Sequence, residues 1–313
     1  MIAHDTKNPR EAYGIALVEL GKRFPDVVAL EADLGNSTRS VLFAKEFPDR
    51  FFQMGIAEQN MASTAAGLAL AGKKPFVHSF AVFAAGRAFD QLRSSICIPA
   101  LPVRICGSSA GLSDFGDGKT HQSVEDLATM RSLPNMTVLA PADALETVLM
   151  MEAIVGIDGP VYIRINRNDL PSVTPPREPW SVGKVWKLRE GRDVAIFANG
   201  ALVPRALEAA ERLARDGIEA RVLNVSTIKP LDRDAVIAHA RGVRGIVTAE
   251  EGTVVGGVGA AILEALRKER HAPVEMVGIP DRFGMSARNY EELLEAYGLT
   301  SKRIEDIARS ILR

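Results

Sequence analysis

The sequence has few cysteines, almost no net charge and no long apolar run, and each of these shortages excludes a class of protein. Two cysteines in 313 residues are too few for a disulfide framework. Cys97 and Cys106 both have apolar neighbours, which favours small buried side chains over a metal site and predicts a reducing, cytoplasmic setting. A net charge of -1, from 38 Lys and Arg against 39 Asp and Glu, argues against a nucleic-acid partner.

The chain also lacks the apolar segments of membrane and secreted proteins. The longest apolar stretch, residues 67–72, is far shorter than the roughly 20 residues that cross a bilayer. Near the N-terminus, Glu11, Glu19 and Lys22 interrupt the apolar residues at helical spacing, which is not the pattern of a signal peptide. We therefore expect neither a membrane partner nor a secretory signal.

Strand-like apolar runs alternate with segments of helical periodicity along most of the chain. This alternation predicts an α/β fold of two domains, each a mostly parallel sheet flanked by helices. Four prolines, which suit neither a helix nor a central strand, lie between the two halves: Pro171, Pro175, Pro176 and Pro179. We predict a first domain over residues 1–170, a Pro-rich linker over 171–184 and a smaller second domain over 185–313.

Polar residues follow two predicted strands, at the sheet edge where open α/β proteins bind ligands. Asp33 and Ser37 follow the run at residues 27–30, and Glu58 follows the run at residues 51–54. All three could simply cap helices. Glu58 is also preceded by apolar residues and followed by a helix of small residues, which would exclude water from its carboxyl group. Loss of water raises the pKa of a carboxyl group, and one with a pKa near neutrality can exchange a proton with a ring nitrogen of a cofactor.

Two further segments combine aromatic or polar residues with a position after a strand. Phe80 and Phe83 either pack into the core or present a flat face to a planar ring. The polar loop at residues 111–122 carries Asp117 and His121, four residues apart. These two side chains suit hydrogen bonds to sugar hydroxyls and a phosphate.

Two glycine-rich segments imitate known cofactor motifs. Residues 116–118 (Gly-Asp-Gly) resemble the start of the metal-diphosphate motif of thiamine enzymes, but Asn135 follows too early to complete it, and we predict no metal site in this chain. Residues 256–261 resemble a dinucleotide-binding turn. Because Glu250 and Glu251 precede this turn and would repel a pyrophosphate, tight packing of helix against strand is the preferred interpretation.

Four motifs occur together and in order, at residues 31–34 (EADL), 55–61 (GIAEQNM), 79–83 (SFAVF) and 116–122 (GDGKTHQ). With them the chain resembles the C-terminal section of a split transketolase, in the thiamine diphosphate-dependent transketolase family. The resemblance covers nearly the whole chain. The first domain resembles the pyrimidine-binding domain of that family, and the second resembles its C-terminal domain.

The resemblance implies a role for each candidate residue. Glu58 matches the glutamate that hydrogen-bonds the aminopyrimidine ring of thiamine diphosphate and so helps to activate the thiazolium carbon. Asp33 and Ile56 match positions that lie near the cofactor. Asp117 and His121 match positions that bind substrate hydroxyls. Phe83 and Phe80 match the aromatic pair behind the pyrimidine ring. Arg10, Ser37 and Arg167 match positions that hold the acceptor phosphate, and a guanidinium fork suits phosphate.

The resemblance also implies an activity, cofactors and a partner. The activity is transfer of a two-carbon ketol unit from a ketose phosphate to an aldose phosphate, with thiamine diphosphate as cofactor. The family's domain for the diphosphate and Mg²⁺ is not found in this sequence. The Mg²⁺ ion would therefore be bound mainly by a partner subunit, in an α2β2 heterotetramer. One departure concerns residues 107–110 (GSSA), where many transketolases have a His, so the sugars are either pentose phosphates or an unusual ketose phosphate.

Two alternatives to this activity stay open. The first is the β subunit of a 2-oxo acid dehydrogenase, which shares the glutamate and the two-domain layout. Arg10, Ser37, His121 and Arg167 favour a sugar phosphate over that substrate. The second is a non-catalytic dinucleotide-binding or regulatory module, for which the turn at residues 256–259 is the positive indication.

Overall fold

A computed structural model describes residues 7–176 and 180–313, and within them the strands form two sheets. The strands are β1 (Val27–Glu31), β2 (Phe51–Gln53), β3 (Lys74–Phe80), β4 (Arg104–Ser108), β5 (Thr137–Leu139), β6 (Val161–Ile165), β7 (Trp186–Arg189), β8 (Val194–Ala198), β9 (Ala220–Asn224), β10 (Thr227–Lys229), β11 (Gly245–Thr253) and β12 (Val274–Ile279). The seven-stranded sheet has the order β10-β5-β6-β4-β3-β1-β2, and the five-stranded sheet has the order β12-β11-β8-β9-β7.

Helices connect the strands and cover the sheets. They are α1 (Pro9–Arg23), α2 (Gly35–Thr38), α3 (Val41–Glu46), α4 (Glu58–Leu70), α5 (Phe89–Gln91), α6 (Asp126–Ser132), α7 (Ala144–Ile154), α8 (Leu202–Arg215), α9 (Arg233–Ala240), α10 (Val258–Leu266), α11 (Tyr290–Ala296) and α12 (Ser301–Ile311). Along β1, Val27 and Ala29 pack with α1 and α7, whereas Val28 and Leu30 pack with α4. The first sheet is therefore covered on both faces, as its uniformly buried strands require.

All neighbouring strands pair in parallel except two edge strands, β7 and β10, which are antiparallel to β9 and β5. The predicted α/β fold of two mostly parallel sheets is confirmed. The sequence pattern did not indicate β7, β10, α11 or α12. Strand β10 comes from the second half of the chain but completes the first sheet, and Phe197 and Leu223 of the second sheet share a core cluster with Val138 of the first. The two halves are thus joined by both hydrogen bonds and packing.

The predicted Pro-rich linker contains neither helix nor strand over its described residues 171–176 and 180–184, and Pro179 lies outside the described residues. Both cysteines, Cys97 and Cys106, are buried and free. Over the two described ranges, no helix combines the length and apolar character that crossing a bilayer would take.

Candidate active site

Glu58 is the first residue of α4, and its side chain is only 1% exposed. The Arg87 Nη1 atom lies 2.9 Å from each carboxylate oxygen, and the Ser79 hydroxyl donates to Oε1 at 3.4 Å. The N-cap position is Ala57, and no side chain caps this helix. The interpretation of Glu58 as a helix cap is therefore wrong. Its carboxylate instead lies in a buried position at the first residue of α4 and pairs with Arg87.

An aromatic cluster of Phe80, Phe83 and His121 lies next to Glu58. The rings of Phe80 and Phe83 are nearly parallel, 9° apart with centroids separated by 6.2 Å, and the His121 ring meets both of them edge-on. Phe80 is buried in the core, whereas Phe83 is half-buried. The guanidinium of Arg87 lies over the Phe83 ring, 4.4 Å from its centroid. Phe80 is thus a core residue, whereas Phe83 presents a ring face that another group can contact.

The local backbone explains why Phe83 and Arg87 share a face. Residues Val82–Arg87 form a single wide turn of π-helix after β3. Such turns are rare in proteins, and many of those that occur lie at functional sites. Because a wide turn brings residues four apart above one another, Arg87 reaches both the Phe83 ring and the Glu58 carboxylate.

A second cluster contains Arg10, Ser37 and Arg167. Arg10 Nη1 donates to the Ser37 carbonyl at 3.1 Å, and its Nε is buried without a hydrogen-bond partner. Burial, followed by the nearby charges of Arg167 and Arg39, lowers the pKa of Arg10. Two guanidinium groups that repel each other and an N–H group without an acceptor are what an anion such as phosphate would satisfy. The structure brings all three predicted phosphate residues together.

Asp114 connects this basic cluster to the polar loop at residues 111–122. Its carboxylate lies 2.6 Å from Arg167 Nη1 and also accepts a hydrogen bond from the backbone N–H of Asp117. Burial raises the pKa of Asp114, although Arg167 opposes that change. Arg167 is held at a second point because Asn8 donates to its carbonyl at 3.0 Å. The guanidinium is therefore oriented by an ion pair before any ligand binds.

The loop carries Asp117 and His121 to two different neighbours. Asp117 is exposed and precedes the short turn Gly118–Thr120, and its backbone faces Asp114. His121 follows the turn and reaches the aromatic cluster. One loop thus links the surroundings of Glu58 with those of Arg167.

Asp33 and Ile56, which the resemblance places near the cofactor, are both exposed. Asp33 is exposed, has a left-handed backbone with φ of 64°, and lines a surface cavity of about 400 Å³ together with Ser37. Neither residue caps α2, whose N-cap is Leu34 without a side-chain hydrogen bond, so that interpretation is wrong for them too. Ile56 is 72% exposed, two residues before Glu58.

Two family models match the chain and leave few residues uncovered. The "Transketolase, pyrimidine binding domain" matches residues 5–173, and the "Transketolase, C-terminal domain" matches residues 183–304. The chain belongs to the transketolase family. Family membership implies dependence on thiamine diphosphate.

Individual relatives match the transketolase chain over nearly its full length. A putative transketolase C-terminal section of Methanocaldococcus jannaschii is 41% identical and covers 98% of this chain and 96% of its own. The 6-deoxy-6-sulfo-D-fructose transketolase subunit SqwH of Clostridium sp. is 41% identical, with 96% and 94% covered. A 1-deoxy-D-xylulose-5-phosphate synthase of Caldanaerobacter subterraneus is 38% identical, with 95% of this chain but 47% of its own covered. A solved structure titled "Split gene transketolase, inactive beta4 tetramer" is 48% identical, with a TM-score of 0.88 and 97% and 98% covered.

The residues around Glu58 fit the aminopyrimidine ring of thiamine diphosphate. The Arg87 guanidinium is flat, rich in nitrogen and bound at once to the Glu58 carboxylate and the Phe83 face. An aminopyrimidine ring needs the same two contacts, a carboxyl group at a ring nitrogen and an aromatic surface below the ring. The site therefore already accommodates a group of that shape and polarity.

Sequence reasoning missed Arg87 and Asp114, which orient predicted residues. Arg87 lies four residues after Phe83, a spacing that places two side chains on one face of a helix, but the sequence pattern predicts a helix only from residue 86 onward, so the pairing was not predicted. Asp114 is 3% exposed within a polar loop, and no sequence pattern separates a buried loop carboxylate from an exposed one.

The glycine-rich turn at residues 256–259 holds a side chain where a dinucleotide would place its phosphates. Glu250 accepts hydrogen bonds from the backbone N–H groups of Val258 and Gly259 at 2.8 and 2.9 Å. A Cβ atom on Gly257 would overlap with the same carboxylate, so the turn is tightly packed. A buried carboxylate thus occupies the start of α10, which is the place of the pyrophosphate in dinucleotide-binding turns.

We expect no saturable binding of NAD by this chain at millimolar NAD, because a pyrophosphate would have to displace the buried Glu250 carboxylate. Equilibrium dialysis with the native chain checks this. Saturable binding that disappears in Gly259→Val would support a dinucleotide-binding module instead.

The departure at residues 107–110 leaves two hydroxyl groups at the end of β4. Ser108 and Ser109 are fully buried, and neither hydroxyl has a hydrogen-bond partner among the described residues. Ser109 also has φ of 52°, which is uncommon for a residue other than glycine. The end of β4 therefore offers two buried hydroxyl groups and no imidazole at residues 107–110.

Proposed function

We propose that this chain supplies the pyrimidine-binding half of a transketolase active site, which moves a two-carbon ketol unit from a ketose phosphate to an aldose phosphate. The observation that carries the proposal is the buried Glu58 carboxylate, which Arg87 connects to the face of the half-buried Phe83 ring, in a chain that matches both transketolase domains. The names of the M. jannaschii and Clostridium relatives support it.

Thiamine diphosphate, when bound, supplies the carbon nucleophile that carries the two-carbon unit. The chain's own residues would prepare it. Glu58 would hold a proton at one of its Oε atoms and share it with a ring nitrogen, in a position closed to water. Phe83, backed by Phe80, would support the ring face. Arg87 contacts the same carboxylate and the same face, so it has to move aside when the ring enters.

A partner subunit would complete the site, and we propose an α2β2 assembly in which it binds the diphosphate and Mg²⁺. Over residues 7–176 and 180–313 there is no group of three or more His, Cys, Asp or Glu side chains that could hold a metal ion. The related split-gene structure is described as an inactive tetramer of one chain type, which supports a need for a second type. Ile56 is an exposed apolar side chain at the edge of the site, and a partner surface would cover it.

The substrate is proposed to carry an anionic group and several hydroxyls. Arg10, Ser37 and Arg167 would bind the anion, and Asp117 and His121 would bind the hydroxyls. The anion can be a phosphate, or a sulfonate as in the name of the Clostridium relative, because both present oxygens that a guanidinium fork contacts. The cluster of Arg10 and Arg167 favours such a substrate over the 2-oxo acid of a dehydrogenase, which carries no phosphate.

Replacing Arg167 with Ala should raise KM for a phosphorylated acceptor about 10- to 100-fold, because it removes a hydrogen-bonded charge pair with the anion. Affinity for thiamine diphosphate should change little. The measurement is ketol transfer by the mixture of this chain and its partner, with phosphorylated and unphosphorylated acceptors. Arg241→Ala, on an exposed ion pair with Glu269, is the control. Unchanged kinetics of Arg167→Ala on phosphorylated sugars would refute the phosphate role.

A further inference from the structure

Besides its contacts with the first half of the chain, the loop that carries Asp117 and His121 is held by the second half. At its start, Leu112 donates its backbone N–H to the Glu251 carboxylate at 2.8 Å. In the middle, Phe115 accepts a hydrogen bond from the backbone N–H of Ala287 at 2.8 Å. Leu112 and Phe115 both pack into the core cluster of the second sheet. The loop follows a strand of the first sheet, but part of its support lies in the other half.

Gln122, at the end of the loop, joins it to the segment at residues 284–287. The side chain is 4% exposed, and its Nε2 donates to the carbonyls of Asp114 and Met285 at 2.9 and 3.0 Å. Its Oε1 has no hydrogen-bond partner among the described residues and packs against the backbone of Gly284. A Cβ atom on Gly284 would overlap with that oxygen. One amide group therefore bridges the loop and the second domain.

The turn between Asp117 and His121 is fitted to the same segment. Gly118 has φ of 75°, a left-handed conformation that glycine adopts without strain. A Cβ atom there would overlap with the Ser286 hydroxyl and lie 3.1 Å from the Ser286 backbone nitrogen. The turn thus lies directly on Ser286, so a shift of that segment moves both substrate residues.

We propose that the segment at residues 284–287 of the C-terminal domain is a positioning element for the sugar-binding loop, and that Gln122 is the positioning residue that couples the two. This inference rests on the proposed function, because it assigns Asp117 and His121 to substrate hydroxyls. It gives the C-terminal domain a part in sugar binding through the loop that carries these two residues. Loop residues placed by another domain retain their geometry only while that contact is intact.

Two variants break the contact from opposite sides. Gly284→Ala pushes the Gln122 amide away, and Gln122→Ala removes its hydrogen bonds. In the assembled enzyme we expect both to raise KM for the sugar about tenfold or more, since a small misplacement of binding groups is costly. Affinity for thiamine diphosphate should stay within about twofold of the native value, because the hydrogen bonds of Glu58 are made to Ser79 and Arg87, which belong neither to the loop nor to this segment. Gly156→Ala, at a glycine where an added Cβ atom would lie 4.0 Å from the Ala153 carbonyl oxygen in ordinary van der Waals contact, is the matched control.

Hydrogen exchange of the chain alone tests the coupling without any catalysis. The backbone amides of residues 112–121 should exchange faster in both variants than in the native chain and in Gly156→Ala, while those of β1 and β6 stay unchanged. Native exchange in that loop together with native KM in both variants would overturn the inference. If the native mixture shows no ketol transfer, the proposed function fails, and the exchange result still decides whether the segment holds the loop. If exchange rises but KM does not, the segment supports the loop without positioning the sugar, and the inference is rejected.

Discussion

Replacing Glu58 with Gln lowers the rate of ketol transfer by about 10²- to 10⁴-fold, the range typical for loss of a positioned acid or base. Gln has the size of Glu and can accept a hydrogen bond from Arg87, so the buried site should keep its shape. It cannot take up and release a proton in the same way. The measurement is kcat of the assembled enzyme with thiamine diphosphate and Mg²⁺ in excess.

The control for this substitution is Glu19→Gln, at an exposed carboxylate that pairs with Lys22 on the outside of α1. It should retain native activity. The affinity of the Glu58→Gln variant for thiamine diphosphate should also be measured, because it separates a loss of chemistry from a loss of binding. Glu58→Gln leaves the ring face of Phe83 in place. A Glu58→Gln enzyme with native kcat would show that this carboxyl group takes no part in the reaction.

Replacing Arg164 with Met should destabilise the chain by about 3–5 kcal/mol, the usual cost of leaving one member of a buried ion pair without its partner. Arg164 is 6% exposed and donates through Nε to both oxygens of Asp126, which is fully buried. Its Nη2 also donates to the Glu251 carbonyl at 2.7 Å, so the side chain joins α6 in the first half to β11 in the second. Urea unfolding of the chain alone measures the change.

A matched control is Arg241→Met, which removes an exposed ion pair with Glu269 and should change the free energy of unfolding far less. A double variant that also replaces Asp126 with Leu should recover part of the loss, because the Asp126 carboxylate then no longer stays buried without Arg164. A native-like unfolding curve for Arg164→Met would contradict the assigned importance of this pair.

The sequence was sufficient to predict the fold where local periodicity is strong. Two of the strand-like apolar runs, at residues 161–165 and 194–198, coincide at both ends with β6 and β8. Strand β10 was missed because three residues carry no usable period, and its pairing with β5 is set by tertiary contact. Fold class therefore followed from the pattern, whereas the join between the two halves did not.

The residues of the candidate site also fall into those that the sequence predicted and those that it did not. The positions of Glu58 and Phe83 after strands were sufficient to select them, and the structure places them side by side with Arg87 between them. The supports of the loop that carries His121 could not be predicted, because Gln122 meets a segment more than 160 residues away in the chain. Residues that act through such distant contacts leave no local signal in one sequence.

The central claim is that this chain forms half of an active site, and a reconstitution assay tests it most directly. Ketol transfer would be measured for the chain alone, for a partner with the thiamine diphosphate-binding domain alone, and for the mixture, with thiamine diphosphate and Mg²⁺ present. The account predicts activity only in the mixture, and its loss when the mixture contains Glu58→Gln. A chain that is active without a partner, or a mixture that is indifferent to Glu58, would contradict the account.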